Sequence, residues 1–200
     1  MALSELDRRL IRVSVAIVRG DWDELRFERS AAPQGEPNRA WREAVLQTHL
    51  FAGFSRVVEA FSQLDTAGGL GAPGADEILR EDGAPERGRP LFEKIYAGAA
   101  PTVRAMLERQ HPEYADWVIG HAYGRVLSRP GLAADRRELL ACACLAAQGQ
   151  DRQLGSHARG ALRCGATHAE LVEAIELVGP AIGPALLAAA RAVVAPLAPR

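Results

Sequence analysis

Residues 142–157, CACLAAQGQDRQLGSH, bring Cys142, Cys144 and His157 into one short stretch. Those residue types could make a thiol centre or part of a metal site. Helical geometry argues against a joint site: residues two apart on a helix point roughly 200° away from each other. Cys142 and Cys144 therefore cannot close a disulfide with one another, nor ligate one metal without breaking the helix. Each reads as a small apolar core residue. Cys142, one turn from Glu138, keeps the further option of thiol chemistry. Cys164, before a glycine, reads as structural. No two histidines stand at the three- or four-residue spacing of helical metal ligands. Neither a phosphate loop nor a dinucleotide fingerprint is present, and no cofactor or metal is expected.

His157 lies on an apolar stripe with Leu154 and Ala161. Glu138 stands about three turns before the Gln148-Gly149-Gln150 turn and His157 about two turns after it. Antiparallel helices joined that tightly lie about 8–10 Å apart, a gap two long polar side chains can close. The pair is expected within hydrogen-bond reach, with His157 lining a cavity; a hydrogen-bonded core histidine is the alternative. A carboxylate beside an imidazole fixes its tautomer and raises its pKa, which suits a general acid. His49 sits on an apolar helix before Gly53, facing the same cavity or packing. Tyr123 reaches a substrate or supports a helix contact. Arg129 and Arg125 are candidates for bidentate binding of a substrate carboxylate. His111 and His168 stand at helix ends.

These residues need helices to hold them, and the apolar spacing is helical throughout. Helices are predicted over 3–19, from 21 to about 32, and over 38–51 and 53–64. Residues 65–90, rich in glycine and proline, read as a linker with one short helix at 75–80. Further helices are predicted near 91–95, 102–109, 113–127, 133–148, 150–163, 168–178 and 184–194. The chain of 200 residues is 48% hydrophobic and 24% charged with a formal net charge of −1, as expected of a globular protein with a sizeable core. That charge favours neither nucleic acid nor an anionic membrane. No apolar run is long enough to span a bilayer, the first residues lack a signal-peptide pattern, and three cysteines do not suggest a disulfide framework. A cytoplasmic location is expected.

The chain also repeats itself. With Gly20 placed on Gly149, DRRLIRVSVAIVRG lies over RRELLACACLAAQG; after a one-residue gap Ala31 meets Ala161, Gly35 meets Gly165, Glu43 meets Glu173 and Gly53 meets Gly183. Each unit has one apolar side and cannot bury it alone, so two copies are expected to pack about a pseudo-twofold axis.

The second half resembles the carboxymuconolactone decarboxylase family, within the alkylhydroperoxidase D-like superfamily. The marks are Tyr123-Gly124 before Ser128-Arg129-Pro130-Gly131-Leu132, then Arg137-Glu138-Leu139, His157 in LGSHARGAL, Gly165, Glu173 and Gly183-Pro184; EAVLQTHLFAGF in the first half is similar to the terminal motif. The resemblance implies an all-α fold: two tandem helical repeat units of the alkylhydroperoxidase D-like fold joined by the glycine- and proline-rich linker. The units are expected at 1–64 and 91–200. It also implies a homo-oligomer, a trimer or hexamer. The peroxidase branch spaces a Glu, two Cys and a His so that the Glu and His fall on Glu138 and His157, while its cysteine positions fall on Gln150 and Gln153. Thiol peroxidase chemistry is therefore disfavoured.

Three readings follow. In the first, cofactor-free acid/base chemistry acts on a small unsaturated carboxylate or lactone. By resemblance, CO₂ leaves a γ-carboxylated lactone, His157 protonates the dienolate, Glu138 orients it and an arginine clamps the anion, with Tyr123, Arg129 and His49 binding substrate. In the second, a non-catalytic member binds a small acid or a partner protein. In the third, a residual thiol-dependent reductase works through Cys142.

Overall fold

The computed structural model describes residues 2–79 and 83–198. Among the described residues there is no strand, and helices make up most of them. The chain opens with α1 (Glu5–Arg19), α2 (Trp22–Ser30), α3 (Asn38–Ala52) and α4 (Phe54–Thr66). Then come a 3₁₀ turn (Ala75–Glu77), α5 (Ala84–Tyr96), a second 3₁₀ turn (Ala97–Ala99), α6 (Ala100–Gln110), α7 (Tyr114–Trp117) and a π-helix (Val118–Leu127). The chain finishes with α8 (Ala134–Ala147), α9 (Asp151–Cys164), α10 (His168–Ile182), α11 (Pro184–Val194) and a last 3₁₀ turn (Ala195–Leu197). No described helix is long and apolar enough to cross a membrane.

Local chemistry sets the starts and stops. Ser4 and Asp7 form a capping box on α1, and Thr167 and Glu170 form one on α10. Asp21 caps α2. Gly20 closes α1 with a left-handed φ of 74°, a conformation that costs glycine little. The junctions α3–α4 and α10–α11 use one backbone turn: Gly53 at φ 79°, ψ 166° and Gly183 at φ 83°, ψ 167°.

Packing between the halves is reciprocal. Helix α1 packs on α8 and α10, while α8 packs on α1 and α3; α3 with α4 is matched by α10 with α11. The ion pairs follow the same exchange. Arg137 of α8 bonds Glu43 of α3 at 2.8 Å, and Arg8 of α1 bonds Glu173 of α10 at 2.6 Å. The main core runs through both halves, with Leu10, Ile17, Trp41, Leu139, Leu154 and Ile175 fully buried.

The middle of the chain differs from a linker. Helix α5 begins at Ala84, inside the 65–90 stretch, because Gly83 turns the chain with φ 82° and Pro85 is tolerated in the first helical turn. The predicted helix at 75–80 shortens to the 3₁₀ turn Ala75–Glu77, and Arg80 lies outside the described residues. Helix α5 lies close against the π-helix: a Cβ on Gly88 would come within 2.2 Å of the Ile119 carbonyl oxygen, and one on Gly124 within 2.0 Å of that of Ala84. Phe92, Ile95, Ala100, Ile119, Tyr123 and Leu127 form a second, smaller core here. The 113–127 helix predicted from periodicity is a short α-turn followed by π-helix, a form that concentrates at functional sites.

Candidate functional site

His157 points into a pocket of about 630 Å³ between the two cores. Leu50, Phe51 and Phe54 come from the α3–α4 junction, Leu145 from α8, and Gln153 and His157 from α9. Helices α5 and α7 and the π-helix roof them with Tyr96, Tyr114, Trp117, His121 and Tyr123. Trp117 and Phe54 are largely exposed at the rim. Apart from His121, Gln153, His157 and the tyrosine hydroxyls, the lining is apolar or aromatic.

His157 Nδ1 is 2.9 Å from Glu138 Oε2. A carboxylate only accepts, so Nδ1 carries the proton and Nε2 is left for the pocket. Glu138 is 1% exposed, and its second oxygen has no hydrogen-bond partner among the described residues. Burial works against the imidazolium of His157, but the charge and hydrogen bond of Glu138 outweigh it, so the pKa is raised. Gly160, one turn after His157, gives Glu138 its space: a Cβ there would sit 2.6 Å from Oε2 and 2.8 Å from Ile95 Cγ2.

Tyr123 lines the pocket, its hydroxyl donating to Tyr96 Oη at 3.2 Å and its ring edge-on to Phe92. Burial first, then the nearby Tyr96 and Glu138, push its pKa well up, so the phenol stays protonated. His49 lies one layer back. Its ring stacks on Phe54, with centroids 4.9 Å apart, and its Nε2 is 2.7 Å from His121 Nε2.

Arg129 is not brought to the pocket. Its guanidinium makes a bidentate pair with Glu43 at 2.8 Å and donates to the Glu77 carbonyl. Glu43 also takes Arg137, and a buried carboxylate between two guanidiniums holds both in place. No arginine or lysine lines the pocket among the described residues.

The cysteines are packing groups in this geometry. Cys142 and Cys144 are buried and free. Burial, with Glu138 and Cys144 adding repulsion, pushes the Cys142 thiol well up; burial alone pushes up Cys144. Cys164, half-buried, is pushed up to about 11, chiefly by burial. None is held as a thiolate. Gln153 faces the pocket, and Gln150, just before α9, is exposed.

Spacing on α8 and α9 pointed to Glu138 and His157. The contributions of Tyr96, Phe51, Phe54, Trp117 and Tyr114 were missed. Their only signal was aromatic clustering before the SRPGL turn and beside Gly53, which periodicity reads as core.

Peroxisomal protein 2 of Schizosaccharomyces pombe is 29% identical over 138 residues, covering 66% of this chain and 64% of that protein. The chain thus matches less than two thirds of that relative's length. The carboxymuconolactone decarboxylase family model matches residues 112–195, the segment that carries His121, Tyr123, Glu138, Gln153 and His157. Over 112–195 the chain is thus similar to the carboxymuconolactone decarboxylase family.

Proposed function

We propose that the His157 pocket performs cofactor-free acid/base chemistry on a small, largely apolar unsaturated carboxylate or lactone, with His157 as proton donor and Glu138 as its orienting partner. The observation that carries this is the 2.9 Å contact of His157 Nδ1 with buried Glu138, which directs Nε2 at the pocket. In a decarboxylation, electrons released with CO₂ run into the conjugated carbonyl and the dienolate must be protonated on carbon. An imidazolium supplies that proton and stabilises the developing anion before transfer. The arginine clamp expected from the sequence is replaced in this reading by His157 itself, the Gln153 amide and the Tyr96 hydroxyl. The aromatic walls accept the planar conjugated part of the substrate. His157→Gln keeps the volume and loses the proton; kcat on a γ-carboxylated unsaturated lactone should fall about 10²–10⁴-fold, with the helical circular dichroism unchanged. Full activity in that variant would remove the role.

The largely aromatic lining also supports a second reading, a binding member that retains a small acid without turning it over. Calorimetric binding of the lactone by wild-type protein, with no CO₂ released, would favour it. The same proposal takes 1–64 and 91–200 as the two units of the bundle, in a cytoplasmic homo-oligomer, trimer or hexamer. Exposed Phe54 and Val58 on one face of α4 fit such an assembly. A monomer by light scattering at micromolar concentration would exclude it.

A further inference from the structure

The His157–Glu138 pair leaves a second pocket histidine unused. His121 lines the pocket from the π-helix. Its Nε2 lies 2.7 Å from His49 Nε2, and His49 Nδ1 lies 2.5 Å from the Leu46 carbonyl oxygen. A carbonyl can only accept, so His49 keeps its proton on Nδ1 and offers a lone pair at Nε2. His121 must then donate from Nε2, which leaves the lone pair on its Nδ1. The rings of His49 and Phe54 flank it. One pocket therefore holds two imidazoles with opposite partners. His157 leans on a carboxylate, which favours a charged ring. His121 donates to a second imidazole rather than to a carboxylate, and its burial works against a charged ring.

We propose that His121 is a base and His157 the acid of a proton-transfer isomerisation that moves the double bond of a β,γ-unsaturated lactone or carboxylate into conjugation. This rests on the acid/base reading of the pocket and adds a second catalytic residue and a reaction to it. His121 Nδ1 takes the proton from the carbon next to the carbonyl. The electron pair of that C–H bond becomes a new C=C bond, and the charge rests on the carbonyl oxygen of the dienolate. The far carbon of the dienolate then takes the proton from His157 Nε2, and the electrons fall back to restore the carbonyl. His121 ends as imidazolium, still donating to His49, and His157 ends neutral. A proton lost from the first to solvent and one gained by the second at the open mouth close the cycle. No redox partner or further reactant is consumed.

The electrostatics agree with these roles. Burial, then His49 of α3 and Arg125 of the same helix, lower the pKa of His121. That of His157 is raised by Glu138. Tyr96, Tyr114, Tyr123 and His157 are the other titratable groups on the pocket walls. Two groups pushed apart in one poorly solvated cavity are the usual pattern of an acid and a base with separate tasks.

The probe is α-angelica lactone, which becomes its conjugated isomer when a proton moves from ring carbon 3 to ring carbon 5. Wild-type protein in D₂O should convert it, with the ultraviolet absorbance of the conjugated lactone rising and deuterium appearing at carbon 5 by NMR. His121→Gln should lower kcat about 10²–10⁴-fold, move KM little, and remove the acidic limb of the kcat/KM profile. His121→Asn provides the same test if the first variant does not fold. His49→Gln should shift that limb while keeping measurable turnover. No conversion and no deuterium uptake at saturating lactone would overturn the isomerisation, while decarboxylation that persists would leave the acid role of His157 standing. Conversion that survives both His121 variants with an unaltered pH profile would overturn the base assignment alone.

Discussion

Two crevices of this bundle share some lining positions at the same sequence offset, and one of them is far roomier than the other. Counting from Gly20 and Gly149, Arg9 stands where Glu138 stands and Glu28 where His157 stands. Ala16 answers Leu145, Glu24 answers Gln153, and Pro180-Ala181 answer Leu50-Phe51. The first crevice, lined by Ala16, Glu24, Pro180 and Ala181 among others, holds about 140 Å³, against about 630 Å³ for the second. Arg12 of its lining is tied to Glu28, which Arg9 also bonds at 2.8 Å. A guanidinium keeps its proton at any physiological pH, so this pair can stabilise but cannot exchange protons. In the second crevice one carboxylate faces one imidazole and keeps an oxygen unpartnered. The larger difference lies outside both crevices. Helices α5 to α7 and the π-helix cover one of them and not the other, and they supply Tyr96, Tyr114, Trp117, His121 and Tyr123. The covering segment is what gives the second crevice its aromatic roof.

The largest effect should come from the matched ion pairs of the two halves. Arg137 and Glu43 are each 1% exposed, while Arg8 and Glu173 are 28% and 29% exposed. Arg137→Leu leaves Glu43 buried with only Arg129, and should cost about 3–5 kcal/mol in urea unfolding. Arg8→Leu should change the midpoint barely at all, since a wet pair is screened and entropically costly. Equal losses would show that the halves are not built alike around unequal burial.

Gly88→Ala sharpens the role of the covering segment. The new methyl meets backbone at 2.2 Å, which cannot give way as a side-chain tip would. A loss of about 1–3 kcal/mol should come with weakened ligand binding and intact core helices by amide exchange. Protection lost uniformly across α1 and α8 would mean the segment is not a separable cover.

Gly160→Ala is the finer probe, aimed at the pair itself. Displacing Glu138 Oε2 should lower the His157 pKa towards that of an unpaired imidazole, read by NMR titration, with a smaller stability loss. An unchanged titration would break the link between that contact and the raised value.

The smallest effect is the pH dependence. The folded pKa of His157 lies above its unfolded value, so its contact with Glu138 contributes fully below about pH 6.5 and is lost as pH rises through the raised folded value. His157→Gln should flatten that limb. Glu77 and Glu170, both held at about 2, act in the opposite direction. Burial opposes their ionisation; Arg42 and the Gly74 N–H hold Glu77 ionised, and the Thr167 N–H with Arg136 does so for Glu170. Their stabilisation is present above about pH 4.3 and fades as pH falls towards 2.

Much of the fold was legible before any coordinates. Apolar spacing of about 3.6 residues located α1 to α4 and α8 to α11 within a few residues, because each buries one face against a neighbour and that face must recur along the chain. The reach from Glu138 to His157 was legible too, since a tight turn between antiparallel helices leaves few registers. Periodicity could not decide what lies above the pair. Glycine and proline around 65–90 signal broken structure locally, yet Gly88 is there for close backbone contact, and its meaning depends on the π-helix more than thirty residues later. Arg129 read as a substrate clamp because nothing local reveals that Glu43, far away in sequence, claims it first. The sequence by itself determined the helices, their caps and the local partners along α8 and α9, all set by short-range sterics and repeating burial. Only the tertiary structure decided which of two matched crevices is covered and which charges are already spent, because those outcomes rest on contacts between segments far apart in the chain.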